Sequence, residues 1–327
     1  MYYLYSFFAT VPLILLSALK DSSVGTDTIN YISFFEDAVI FKDDIASYFI
    51  RLFFCEKGFL LLNIFIAHIT SSIVTYFIII YSIIILLLYK SAIRLRHYIS
   101  LPVFMTVFLF LFFSDSLNIM RQYIAMSICV YAFTSLIRGE KLKYVLFTLL
   151  AFTFHNTSII TLIFPVVFKI VKAFPIRKYI YIYILGVFVG VLLILNLQSL
   201  LSSVGDKYDK YLNSGGSEVS MSVIMIYVIT SFYIYYKSKN CKSLDPFWVI
   251  SLLALVLCLA ATVDYTMHRL SLYFSIIACI SIAYIAKLKP MRQNQILQIV
   301  LFIYVFYWLF SIVINKTNQV VPYTSIL

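Results

Sequence analysis

The chain has 327 residues, 63% of them hydrophobic and only 12% charged, about half the charged fraction of an ordinary soluble domain. Its net charge of +11 would suit nucleic acid, but the basic residues sit in short loops between apolar runs, which excludes that class of partner. Apolar runs of roughly 17–25 residues recur along the whole length, each able to cross a hydrocarbon core about 30 Å thick, and no ten-residue alternation of an outer-membrane barrel is present.

The first run, 3–19, has no basic start and no small-residue cleavage site, so it predicts a retained helix rather than a cleaved signal. Residues 20–57, rich in acids and turn formers, are expected outside the membrane. "FLLLNIFIAHI", 59–69, is too short to cross and predicts an interfacial or re-entrant helix ahead of a true span at 72–89. The basic loop Lys90–His97 brings the chain back inside, and spans follow at 99–113 and 120–137. The run 144–171 is interrupted by "HNTS" at 155–158; two short passes meeting near His155 keep the next basic loop inside. Further spans are expected at 179–200, 221–236, 247–263, 270–286 and 296–314. The fold class is therefore an all-α polytopic membrane protein of about eleven transmembrane helices, one transmembrane domain over 1–327, with outer loops 20–57 and 201–220.

Charge supports that sidedness. Five loops, Lys90–Arg96, Arg138–Lys143, Lys169–Lys178, Lys237–Lys242 and Lys287–Arg292, hold 16 of the 25 basic residues against two acids, Glu140 and Asp245. One side carries +14 and the other −3, the positive-inside signature. Only Cys55 of the five cysteines falls outside, which leaves no partner for a disulfide within the chain, and no CxxC pair suggests a metal.

Polar residues at the outer helix ends carry the chemistry. "SDSLNIMRQYIAMSI", 114–128, puts Arg121 at the first turn of a helix running inward, where the macrodipole repels a cation. Asn118 or Ser116 is positioned to cap that helix. "DYTMHRLSLYF", 264–274, repeats the pattern, with Asp264 and His268 ahead of the next inward helix and Arg269 at its first turn. Helix N-termini bind phosphate, and guanidinium binds it through two parallel bonds, so two such ends predict a phosphate or diphosphate site. The alternative is that each arginine snorkels to lipid headgroups.

In "VGTDTINYISFF", 24–35, Asp27 follows the turn former Gly25; it could accept a proton from a hydroxyl, or cap a helix starting at Thr28. In "CEKGFLLLN", 55–63, Glu56 is a second base candidate, or a helix-end charge paired with Lys57. In "FTFHNTS", 152–158, His155 could donate to a phosphate, take a proton, or hold a hairpin tip by a hydrogen bond. No Walker loop, GxGxxG, HExxH or DxD pair is present, so no cofactor is called for and the energy must come with the substrate. A lipid diphosphate sugar is such a substrate. It needs anion stabilisation and one base on an acceptor hydroxyl.

The segments "VGTDTINY" (24–31), "EKGFLLLN" (56–63), "NIMRQYIA" (118–125), "FHNTSIITLIFP" (154–165), "RLSLYF" (269–274) and "VVPYTSIL" (320–327) come in an order that resembles the EpsG-like family of exopolysaccharide and O-antigen polymerases, the Wzy type. The resemblance implies a glycosyltransferase of the bacterial inner membrane, in a GT-C-like arrangement, joining repeat units carried on undecaprenyl diphosphate at the periplasmic face. It implies that Arg121 with Gln122, and Arg269, fall on family motif positions and hold the diphosphate, and that Asp27, Glu56 and His155 fall on motif positions too. Charge and placement make Asp27, Glu56 and His155 the catalytic candidates and add Asn118, Asp264 and His268 to the substrate-binding ones. The resemblance also implies lipid-linked oligosaccharide, membrane lipid and a chain-length regulator as partners. An O-antigen ligase, or a flippase for the same lipid-linked unit, would draw on much of the same inventory.

Overall fold

Apolar segments in lipid satisfy their backbone groups locally only as helices, and the described residues of the computed structural model are predominantly helical. The structure describes residues 2–176, 178–183, 185–186, 189–190, 192, 219–262, 266–289 and 291–325. Most of the span expected at 179–200, all but 219–220 of the outer loop 201–220, and Asp264 lie outside the described residues. Among the described residues there is no β-strand, only an isolated antiparallel bridge between Lys20 and Ser325.

Among the described residues, five helical stretches are long and apolar enough to cross a membrane: Ile73–Arg94, Asn156–Ala173, Lys242–Ala260, Thr266–Leu288 and Gln295–Ile314. The expected count of about eleven is not reached by that measure, for physical reasons. The run at 99–113 breaks at Phe112 into Leu101–Leu111 and Phe113–Ser116. The run at 144–171 breaks at His155, whose extended backbone (φ −157°, ψ 116°) ends one helix at Phe154. Met120–Ile137 has the length but carries Arg121 and Gln122 in its first turn.

The helices fall into two compact units, Met1–Ile159 with Phe302–Leu327, and Ile160–Leu301. In the first, α1 (Tyr2–Ala18), α5 (Ile73–Arg94), α8 (Met120–Ile137) and α9 (Lys141–Phe154) pack side by side in that order. The α5 core face is read directly from helical spacing: Tyr76, Phe77, Ile80, Tyr81, Ile84, Ile85, Leu88 and Tyr89 are buried. α8 is buried almost all round, as suits a helix wedged between two others.

The polar segment expected outside folds into α2 (Thr28–Ile40) and α3 (Ile45–Arg51), and the short apolar run after it into α4 (Lys57–Ile69). At about 1.5 Å per residue the 13-residue α4 reaches only about 20 Å, short of a crossing. A buried polar network ties these helices to α5. Asn63 donates to the Tyr48 hydroxyl (3.1 Å) and accepts from the Tyr76 hydroxyl (3.3 Å), and Tyr48 donates to the Phe34 carbonyl (2.9 Å).

The two ends of this unit differ in charge. At one end Glu140 gathers Arg94 (2.6 Å), Arg138 (3.0 Å) and Lys143 (3.1 Å). The Arg94 and Lys143 hydrogen bonds pull its carboxyl down to about 2 against a small desolvation penalty, with Arg138 adding to the pull. The opposite end of α8, about 27 Å away by helix rise, holds Asp27, Glu56 and the candidate site. In the second unit, Phe164–Ala173 and Met221–Ser238 pack on Asp245–Ala260, which in turn packs on Thr266–Ser275 and Ile277–Leu288. Aromatic contacts join them: Phe164 with Phe274, and Tyr235 with Trp248.

Candidate functional site

The cation at the start of α8 is answered from within the chain. Arg121 Nη1 donates to Glu56 Oε2 at 2.7 Å, and its guanidinium also lies over the Phe59 ring, 5.7 Å from the centroid. The second Glu56 oxygen faces His155 Nδ1 at 2.9 Å and accepts from the Asn156 backbone N–H at 3.4 Å. All three side chains are largely buried: Glu56 is 10% exposed, His155 14% and Arg121 22%. Burial opposes ionisation of Glu56. The His155 hydrogen bond and the Arg121 charge outweigh it, and the carboxyl titrates below its ordinary range. Arg121 Nε is buried with no hydrogen-bond partner among the described residues.

Three breaks in the helical pattern bring these groups together. Glu56 sits in extended backbone just ahead of α4, and His155 in extended backbone just after α9. Arg121 lies in the first turn of α8, next to the non-helical Ile119. Gly58 lets the first two approach: a Cβ there would lie 2.3 Å from Thr153 Oγ1 and 2.7 Å from the Thr153 carbonyl oxygen.

A second strand of contacts brings Asp27 to the same corner. The Asn118 side-chain oxygen accepts from Thr26 Oγ1 and from the Asp27 backbone N–H, both at 2.8 Å. Gly25, at φ +89°, makes the turn and passes close to the backbone of Leu117 and Asn118. One turn beyond Asp27, the Tyr31 hydroxyl accepts from the Arg121 backbone N–H at 3.4 Å. The expected cap of α8 by Asn118 or Ser116 is thus replaced. Asn118 is turned to the loop, the Ser116 hydroxyl donates to the Phe113 carbonyl, and Tyr31 takes a first-turn amide. Asp27 occupies the N-cap position of α2 yet makes no side-chain cap bond, and its carboxylate stays half-exposed.

The model of the EpsG family matches residues 3–325. The chain belongs to the EpsG family. Searches of curated proteins and of solved structures return no match.

In this EpsG chain Asp27, Glu56, Asn118, Arg121 and His155 all lie in the first unit and are linked by the contacts above. Gln122, next to Arg121, is 2% exposed and turned into the packing around α8. Arg269 and His268 stand in the first turn of Thr266–Ser275 in the second unit, where the Ser271 hydroxyl donates to the His268 carbonyl. Among the described residues, no group of three or more His, Cys, Asp or Glu side chains gathers at metal-ligating spacing.

Two members of the corner escape a reading of the sequence alone. Tyr31 lies in an ordinary amphipathic helix, with nothing to mark its hydroxyl. Lys20 looks like a flanking charge after the first apolar run, yet it is 1% exposed.

Proposed function

We propose that this EpsG-family chain is a polysaccharide polymerase that joins lipid-diphosphate-linked repeat units, an O-antigen or exopolysaccharide polymerase working at the periplasmic face of the inner membrane. The observation that supports it most is a largely buried guanidinium at a helix N-terminus, tied through Asn118 to the loop of a carboxylate, Asp27, that makes no capping bond.

In the proposed step an acceptor sugar hydroxyl attacks the anomeric carbon of the donor glycan. The new C–O glycosidic bond forms as the bond from that carbon to the diphosphate oxygen breaks. Asp27 takes the hydroxyl proton, and the electron pair leaves with the lipid diphosphate. Arg121, together with the amides of the first turn of α8, receives the growing negative charge. We assign the base role to Asp27 because both Glu56 oxygens are engaged and its carboxyl is held in the ionised form. Glu56 is then the resting counter-ion of Arg121 and the group that orients His155. His155, whose Nε2 meets no partner among the described residues, contacts sugar or phosphate. Arg269, His268 and Asp264 are proposed as further substrate-binding residues, and a chain-length regulator as a protein partner.

The test is reconstitution of the purified protein with an undecaprenyl-diphosphate oligosaccharide, followed by size analysis of the glycan. Chain lengthening is expected from wild type, with loss in Arg121→Ala while the protein remains in the membrane. Transfer only to a lipid A core would make it a ligase, and transport without glycosidic bond formation a flippase; either result would overturn the proposal.

A further inference from the structure

Beneath the Asp27–Asn118 corner lies an ammonium group that the proposed reaction does not use. Lys20, 1% exposed, follows the last residues of α1 and points into the first unit. Its Nζ donates to Thr28 Oγ1 at 2.9 Å and to the Leu117 backbone carbonyl. It also lies over two rings of α5, 5.1 Å from the Phe77 centroid and 5.4 Å from that of Tyr81. The same Thr28 hydroxyl donates to the Val24 carbonyl at 2.6 Å, which closes the turn around Gly25. The Leu117 carbonyl additionally accepts from Tyr81 at 3.4 Å.

A lysine buried this deeply is an expensive way to fill space. Several kcal/mol of hydration are lost on burying an ammonium, and two hydrogen bonds with two ring faces return only part of that. Ring faces and hydroxyls also accept weaker donors; a full positive charge is needed only where something negative answers it. The answering group is Asp27, next to Thr28 in the chain. Burial pushes the Lys20 ammonium down to about 7, and the Asp27 charge pulls it back up.

We propose that Lys20 is a positioning residue for the transfer reaction: it clamps the Leu117 carbonyl and the Thr28 hydroxyl, so fixing the loop that carries Asp27 against the corner that carries Asn118 and Arg121. The proposal rests on Asp27 being the base. The titratable groups that meet Lys20 are Asp27, whose charge acts on it, and Tyr81 on α5, whose ring lies under it.

The experiment compares wild type, Lys20→Met and Lys20→Gln in reconstituted membranes, reading lengthening rate against pH. Lys20→Gln keeps a donor for the Leu117 carbonyl and loses only the charge. Both variants should lengthen more slowly than wild type. The wild-type rate should fall as pH rises through about 7, where Lys20 gives up its proton and its grip on the Leu117 carbonyl weakens, and both variants should lack that fall, so that the gap between Lys20→Gln and wild type narrows at pH 8. A rate loss that is equal at every pH would make Lys20 structural only, and an unchanged rate and profile would remove it from the reaction. If neither variant is recovered from membranes, Lys20 is a folding residue and the proposal also fails. If wild type itself lengthens nothing, it is the polymerase assignment that falls; if wild type lengthens and Lys20→Gln keeps the wild-type rate and pH profile, the assignment stands and this inference alone is lost.

Discussion

A guanidinium at a helix N-terminus faces an unfavourable dipole, and Glu56 supplies the missing anion from a point 65 residues earlier in the chain. Removing one partner of a largely buried pair leaves the other uncompensated. Glu56→Gln should therefore cost about 2–4 kcal/mol, towards the lower end because Arg121 keeps some contact with water, read as a lowered midpoint of thermal unfolding in detergent. The pH dependence follows from the depressed Glu56 carboxyl. The folded protein holds the proton less readily than the unfolded chain, so this contribution is fully present above the ordinary carboxylate value and drains away as pH falls through the folded one. Glu56→Gln should lose less of its own stability than wild type between about pH 5 and 3, a difference visible in parallel unfolding curves. Arg121→Lys should lengthen chains at least tenfold more slowly than wild type, since a point charge replaces the planar fork that engages Glu56 and the proposed diphosphate. Glu56, Arg121 and His155 were each legible in the sequence because a charge or imidazole at the end of an apolar run demands an explanation. Their pairing was not legible: Glu56 adjoins Lys57 in sequence, and nothing local shows that Arg121 and His155 claim its two oxygens instead.

At the scale of elements, two glycines decide whether the corner closes. Gly58→Ala would drive a methyl group into the Thr153 backbone, which cannot swing aside as a flexible side chain could. The expected result is a strain of about 1–3 kcal/mol, α4 displaced from α9, and a Glu56–His155 contact too long to hold. Lengthening should fall at least tenfold while membrane insertion stays normal, measured by glycan size and by immunoblot of membrane fractions. Gly25→Ala places a side chain at φ +89° and should cost about 1–2 kcal/mol in unfolding free energy. Helix positions were readable because apolar runs set them: Met120–Ile137 matches its expected bounds, and 73–94 and 221–238 extend theirs by a few residues. Breaks inside runs were read less well. His155 was marked by its polar neighbours, but Phe112 interrupts an unbroken apolar stretch through backbone geometry that composition does not register. The capping of α8 was misread for a related reason, since Asn118 is a good cap by residue type and is drawn off by a loop 90 residues away.

For the molecule as a whole, the opposed charge of the two ends of the first unit predicts its orientation. Ser22 is exposed at the Asp27 end and Gly139 at the Glu140 end. In a Cys241→Ser background, Ser22→Cys should react with a membrane-impermeant maleimide in spheroplasts, and Gly139→Cys only after permeabilisation, as mass-tag gel shifts would show. The opposite pattern would invert the proposed sidedness and move the site to the cytoplasm. The C-terminal segment adds a constraint of a different kind. Its backbone accepts from Asp21 N–H at Thr324 (2.9 Å) and from Gly25 N–H at Gln319 (3.0 Å), and Tyr323 donates to the Leu16 carbonyl (2.6 Å). The turn that presents Asp27 is therefore latched by residues made some three hundred positions later. During synthesis the N-terminal portion must wait until residues 319–324 have been made before this corner can set. A product cut short ahead of that segment would carry the turn without its latch.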